Sequence, residues 1–455
     1  MKRLTKLLAG ILGFAMVAPM GACGGDNPII GGGGSKELLF WCNAGLISQW
    51  EERLKAFTEE TGIEVRVEGV QAGSWGELAQ QIATSAYSGN LPDCGDLATE
   101  AIASLVASDL LLPLDDYIER DRAEMQESFD QMAPILYSAH EYDGKMYSLP
   151  TTWNRVCLFY NKNVLSEAGI APTDPNYPHE GWTIENFLYC CEKIAANNVV
   201  SGVNNKYGIK LQNQYFLTIE PWLNAYGTSI LSEDWKTVQI NDGDAKQCFQ
   251  MLYDIMNAED VKHQYSPKFG GTTEYDLFCT NRLGFMSVTM EYVSYLYNGG
   301  FNGSANDVSK LREGYDVVSF PSVDGSLHST IGVGACPIFK TSENKEEAWE
   351  LAKFLSSKKF QEEYLTESPW AIPSIKSAMD ILVQKDFFPE SGELFYDALQ
   401  YATPVPAPGS YSAIELEVRK WFGGYMSDTN GFTLTGTGSN SLDSLAATIQ
   451  QYLGE

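Results

Sequence analysis

The 455-residue sequence predicts an α/β protein of more than one domain, on three observations. The chain is longer than one ordinary hydrophobic core can use, and length favours two or three domains. From Lys36 onward, short apolar runs with strand character alternate with amphipathic helical stripes, opening as a βαβ unit. The stretch 149–162, LPTTWNRVCLFYNK, follows the turn signal Asp143-Gly144-Lys145; in it Val156, Leu158 and Tyr160 alternate with Cys157 and Phe159, the pattern of a strand buried on both faces.

The ends and the charge narrow the function classes. Met1-Lys2-Arg3-Leu4-Thr5-Lys6 is a basic start, and the apolar run 7–17 is too short to span a bilayer, which together predict a signal peptide. It closes at Met20-Gly21-Ala22-Cys23, a pattern similar to a bacterial lipoprotein box. Segment 1–23 is therefore expected to be removed or processed there, with Cys23 carrying the lipid. Residues 24–35, rich in glycine, predict a flexible tether. The expected location is the extracellular face of a bacterial membrane, reached by an anchor and not by a spanning helix. Lys+Arg 31 against Asp+Glu 59, a formal charge of -28, argues against nucleic acid as a partner. Eight further cysteines, Cys42, Cys94, Cys157, Cys190, Cys191, Cys248, Cys279 and Cys336, show no CxxC spacing, so neither a zinc site nor a redox motif is expected. Unpaired thiols in an exported chain point to an anaerobic setting.

In order along the chain, Leu38 to Trp41 reads as a buried strand ending at Asn43-Ala44-Gly45. Ser48-Gln49-Trp50-Glu51 reads as a capping box, and Trp50, Leu54 and Phe57 then share one helical face. Thr61-Gly62 stops the helix before Ile63, Val65 and Val67 alternate as a second strand. A helix is predicted over 76–88, an edge strand over 96–100, and a helix after it to Asp109. Ahead of the buried strand, Pro150-Thr151-Thr152-Trp153-Asn154-Arg155 gathers the polar and aromatic types that grip polar ligands; the alternative is a core tryptophan with a solvated arginine. Asn241-Asp242-Gly243-Asp244 lacks the spacing of a calcium loop and predicts a turn before a helix. His140, His179, His263 and His328 are isolated, and neither GxSxG nor a Walker pattern occurs. No catalytic residue, metal site or cofactor is expected.

A strand ending in FW, a helix closing with AFTEETGIEV, then SGNLPD, SDLLLPLDDYI, DGKMYSLP and LFYNK occur here in one order. In that order they resemble the extracellular solute-binding proteins of bacterial carbohydrate ABC importers, the maltose-binding-protein-like family. Later segments continue the likeness: Gly181 to Phe187, Glu220-Pro221-Trp222, the run 278–288, and NKEEAWELAKFL with its stripe of Ala348, Leu351, Ala352 and Leu355. The resemblance covers about 36–420. It implies a two-lobed periplasmic-binding-protein-like fold with discontinuous lobes and a hinge: lobe one at 36–149 plus 328–385, lobe two at 150–327 plus 386–455. It also implies an oligosaccharide ligand in the cleft, permease subunits of an ABC importer as partners, and a monomer.

Sugars present a flat C–H face and a rim of hydroxyls, which aromatic rings and planar polar groups match. Carried over position by position, the resemblance implies ligand contacts at Asn43, Glu100, Asn154, Glu220, Trp222 and Tyr292. Glu415 stands where maltose-binding protein has an aromatic residue, so maltose itself is not implied. Trp41, Trp75, Trp153, Arg155, Trp370 and Trp421 complete the candidates, with Trp41 and Trp153 equally suited to core or cleft. Trp182, Trp235 and Trp349 are expected in the core. Two other functions fit an aromatic, acidic cleft: a secreted glycoside hydrolase, which needs two carboxylates about 5–9 Å apart, and a peptide-binding relative.

Overall fold

The protein is described by a computed structural model over residues 37–196, 199–200, 203–298, 314–367, 369–428 and 431–454. The predicted signal peptide, Cys23 and the tether lie outside the described residues. The first apolar run forms strand β1 (Glu37–Asn43), and its alternate residues Leu38, Phe40 and Cys42 are buried. Helix α1 (Ile47–Thr61) buries Trp50, Leu54 and Phe57 on one face and ends at Gly62 with φ 72°, a left-handed conformation that glycine adopts without a Cβ clash. It starts ahead of the predicted capping box: a short 3-10 turn, Ala44–Leu46, precedes it, and Asn43 Oδ1 accepts the Gly45 amide at 3.0 Å. Strand β2 (Glu64–Val70) runs parallel to β1, completing the expected βαβ unit.

Ser74 caps helix α2 (Trp75–Ala86) by accepting the Glu77 amide at 3.2 Å. Strand β3 (Cys94–Gly95) pairs with the other side of β1, giving the order β2-β1-β3. Of the predicted edge strand over 96–100, only β4 (Leu97–Ala98) is extended. Thr99 already opens helix α3 (Thr99–Ala107), so Glu100 lies in a first helical turn.

The stretch 149–162 is two strands in two different sheets. Strand β5 (Pro150–Arg155) and strand β6 (Cys157–Asn161) are separated by the single residue Val156. All of β6 is buried, as its apolar pattern predicts. Helix α4 (Ile184–Ala196) begins with a reciprocal cap in which Thr183 Oγ1 accepts the Asn186 amide and Asn186 Oδ1 accepts that of Thr183. It is followed by strand β7 (Tyr207–Ile209), a π-helical turn Tyr215–Ile219, and helix α5 (Glu220–Ala225). Asp242 caps helix α6 (Gly243–Asn257) at the Ala245 amide, 2.7 Å away, which is the predicted turn before a helix. Strands β8 (Leu283–Val288) and β9 (Tyr315–Val318) complete a sheet of order β7-β8-β6-β9.

Strand β10 (Ser329–Ala335) lies antiparallel to β5 and joins it to strand β12 (Ala402–Pro404); strand β11 (Ile372–Pro373) covers the far edge of β5, and β4 pairs with β10. Helix α7 (Lys345–Ser356) buries the predicted Ala348, Leu351, Ala352 and Leu355, with Trp349 among them. Helix α8 (Lys376–Leu382) packs Ala378, Met379 and Leu382 into one core with Phe159, Phe278 and Tyr315. Helix α9 (Tyr411–Met426) and helix α10 (Leu442–Gly454) close the chain over α6, with Val418, Phe422 and Ile449 against Phe249 and Leu252. The eight cysteines of the described residues are unpaired; seven are buried and Cys279 is half-buried. Trp182 and Trp349 are core residues, as expected.

Candidate functional site

The five-stranded sheet of β4, β5, β10, β11 and β12 positions the site. Register pairs Asn154 of β5 with Gly332 of β10. Thr99 Oγ1 donates to the Val333 carbonyl and accepts the Val333 amide, both at 3.2 Å, so the first turn of α3 is fastened to β10 beside that pair. Glu100 therefore turns over Gly332. A Cβ built on Gly332 would stand 3.5 Å from Glu100 Oε1 and 3.5 Å from the Phe216 ring, which places carboxylate, ring and glycine around one point.

Phe216 lies on the π-helical turn. The hydroxyl of Ser287 donates to the Leu217 carbonyl, Gln212 Nε2 donates to the Ser287 carbonyl at 3.1 Å, and the buried Tyr215 hydroxyl donates to the Pro406 carbonyl at 3.3 Å. Such turns insert one residue into a helical run and re-aim its side chains.

The polar atoms here are unevenly satisfied. Glu100 is 2 % exposed, and its Oε2 and Asn154 Oδ1 are buried without a protein hydrogen-bond partner. Buried acceptors normally find donors, so such atoms call for an explanation. Burial pushes the Glu100 carboxyl up to about 7; its own backbone amide opposes the shift and the Glu415 charge adds to it. Burial likewise raises the phenols of Tyr142, Tyr215 and Tyr411, and the Glu100 charge adds to each shift. Glu415, 6 % exposed, accepts a hydrogen bond from Ser74 Oγ at 2.8 Å and stands 3.7 Å from Arg419.

Other expected contacts are placed elsewhere. Trp222 is fully buried between Phe187 and Phe320, with ring centroids at 5.1 and 5.2 Å. This corrects the expectation of a ligand platform: Glu-Pro-Trp opens helix α5, and the tryptophan falls on its inward face. Glu220 is buried and consumed locally, accepting from Asn224 Nδ2, Ser229 Oγ and the Ile230 amide. Arg155 is buried and donates to the Leu394 carbonyl at 2.7 Å and to Ser319 Oγ at 3.4 Å, so it faces neither a cleft carboxylate nor solvent. Trp153 is core, its Nε1 donating to the Pro373 carbonyl at 3.1 Å; interior pairing of β5 on both edges leaves only Asn154 of that segment half-exposed. Trp421 is buried against Tyr425 and Phe249, with Nε1 on the Asn440 carbonyl. Tyr292 is buried with its hydroxyl on Glu274.

Trp41 is buried and donates to Glu68 at 3.3 Å, while Asn43 donates to the Ala72 carbonyl at 2.8 Å. Both brace the end of β1. Trp370 is half-buried under the Arg53 guanidinium, 3.5 Å from its ring. Trp75 is not displaced in this way: it is half-buried at the first position of α2, next to Ser74, whose hydroxyl bonds Glu415 of the polar group above. Phe216 was missed; its signal was the adjacent aromatics Tyr215-Phe216 behind the polar run Gln212-Asn213-Gln214.

Among the described residues the strands form five sheets of two to five strands, and Glu100, Asn154 and Phe216 gather about Gly332 of the five-stranded one. The profile of the bacterial extracellular solute-binding proteins matches residues 43–362, and the chain belongs to that family. It is 26% identical over 365 residues, 78% of this chain and 80% of the other, to a protein of Brucella abortus described as a binding protein. It is 21% identical over 415 residues, 89% of each, to the galactooligosaccharide-binding protein of Bacillus subtilis. An ABC substrate-binding protein of Listeria monocytogenes, solved in complex with cycloalternan, superposes with a TM-score of 0.76 at 18% identity, over 92% of this chain and 100% of that one. The likeness shows the two-lobed α/β fold of periplasmic binding proteins. All three relatives are named as binding proteins.

Proposed function

We propose that this protein is a lipid-anchored receptor that captures an oligosaccharide between its lobes and delivers it, without chemical change, to the permease subunits of an ABC importer. The observation that carries the reading is the pair of unpartnered oxygens, Glu100 Oε2 and Asn154 Oδ1, beside the Phe216 ring over Gly332. Sugar hydroxyls are the donors these acceptors lack, and the ring offers the apolar face that a pyranose C–H face covers. Oligosaccharide-binding relatives support the same ligand class. The lobes are 36–149 plus 328–385, and 150–327 plus 386–455, as the resemblance implies. Lobe closure would follow because sugar engages both faces only when they meet. Cys23 would hold the lipid.

A thermal-shift screen of the soluble body against neutral oligosaccharides tests this, since a ligand bound only by the folded state raises the melting temperature. At least one oligosaccharide should raise it, and Glu100→Ala or Phe216→Ala should abolish the rise. A panel without effect refutes the reading. Shortened sugar recovered from the same tubes would assign the protein to the hydrolases.

A further inference from the structure

Glu415 is the candidate whose surroundings depart furthest from a ligand contact. Its helix, α9, is rooted by Ile414, Val418, Phe422 and Met426 in the core shared with α6. From there Glu415 reaches the first turn of α2. Ser74 Oγ donates to Glu415 Oε2 at 2.8 Å, and the Gly76 amide donates to the same carboxylate. A Cβ on Gly76 would overlap Glu415 Oε2, so glycine is required for the approach. Arg419, one turn on, stands 3.7 Å from Glu415 and 3.8 Å from Glu77, drawing a second α2 side chain into the contact. Amides at a helix start favour a carboxylate because their dipoles add at that end.

Trp75 lies between the two residues that Glu415 grips. It is half-buried, with its ring on the edge of the core of Leu78, Ile82 and Leu105. Gripping the flanking residues leaves the tryptophan backbone little freedom. Helix α9 also meets α3: Ser104 faces Ser412 at 3.3 Å, Ala103 shares the apolar core of Ile414 and Val418, and just ahead of α9 a Cβ on Gly409 would overlap Ala107.

We propose that Glu415 is a positioning residue: it touches no ligand but clamps the start of α2 to α9 and so fixes where the Trp75 ring stands at the edge of the site. Trp75 then acts as an outer platform that discriminates longer oligosaccharides from short ones. This rests on the receptor reading above. It departs from the expectation by resemblance that Glu415 contacts sugar, because both lines of approach to its carboxylate are occupied by α2 and by Arg419.

The test uses the protein labelled with fluorotryptophan, with the Trp75 resonance assigned by its loss in Trp75→Phe, together with calorimetry on an oligosaccharide series of increasing length. Gly76→Ala and Glu415→Ala should each shift or broaden the Trp75 resonance without ligand. They should weaken the longer sugars roughly tenfold, the scale of a lost charge-assisted hydrogen bond, and leave the shortest bound sugar unchanged. Glu415→Gln, whose amide oxygen still accepts from Ser74 and Gly76, should restore both readouts. Gly76→Ala leaves Glu415 intact, so it serves where Glu415→Ala fails to fold. An unmoved Trp75 resonance in Gly76→Ala overturns the proposal, as does an equal loss for sugars of every length. A wild type that binds no oligosaccharide while the Trp75 resonance still moves in Gly76→Ala overturns the receptor reading and supports the clamp.

Discussion

Replacing Glu100 by glutamine isolates the cost of keeping a carboxylate at the centre of the site. Burial raises this carboxyl from the ordinary 4.5 to about 7, so between those values the folded protein holds a proton that the unfolded chain has released. Stability in that window falls as pH rises, because the native state binds more protons than the denatured one. The contribution is complete below pH 4.5, is lost on passing 7, and changes little above. At about 1.4 kcal/mol per pH unit the total is ~3 kcal/mol. Glu100→Gln keeps the shape of the protonated acid and removes the titration. Urea unfolding at closely spaced pH from 4.5 to 8.5, without sugar, should give nearly equal stabilities at the acid end. At pH 8 the variant should be more stable by up to ~3 kcal/mol. Asp96 and Glu291, raised by burial to about 6 and about 7, titrate in the same range, so the quantity to read is the difference between wild type and variant. Parallel curves would refute the reasoning, since they would mean that Glu100 is solvated or already paired.

Two further substitutions separate packing from recognition. Trp222→Ala should cost about 3–5 kcal/mol of stability, the penalty for removing a large aromatic side chain from a closed core, measured by denaturant unfolding; a loss of sugar affinity at unchanged stability would return Trp222 to the ligand. Gly332→Leu puts a branched side chain between Glu100 and Phe216, 3.5 Å from each at its Cβ alone, and should eliminate sugar binding in calorimetry while the secondary structure by circular dichroism is retained.

Sequence pattern revealed the periodic elements and misjudged positions where three-dimensional pairing decides. The stripe Trp50, Leu54, Phe57 and the all-apolar run of β6 are read directly, because burial of one helical face or of both strand faces leaves a periodic signature. The polar segment ahead of β6 has no such signature. It is an interior strand because β10 and β11 supply partners more than a hundred residues away, and Trp153 and Arg155 go inside with it. Glu100 and Asn154 were identified through family resemblance, and the fold places both beside Gly332. Trp222 and Glu220 were drawn to the site by the same resemblance, six and four residues beyond the ring that does face Glu100. A π-helical turn shifts the phase of side chains along the chain, and neither composition nor spacing announces it.

The unpaired thiols carry a consequence for where this chain can live. Burial drives Cys42, Cys157 and Cys190 up to about 12 and Cys279 to about 11. At neutral pH a thiol near 12 is ionised only about once in 10⁵ molecules, and the thiolate is the form that attacks disulfides and oxidants. Sulfur locked away in that state is chemically quiet while the chain is folded, so the exposure of these four thiols to an oxidising setting falls on the chain before it folds.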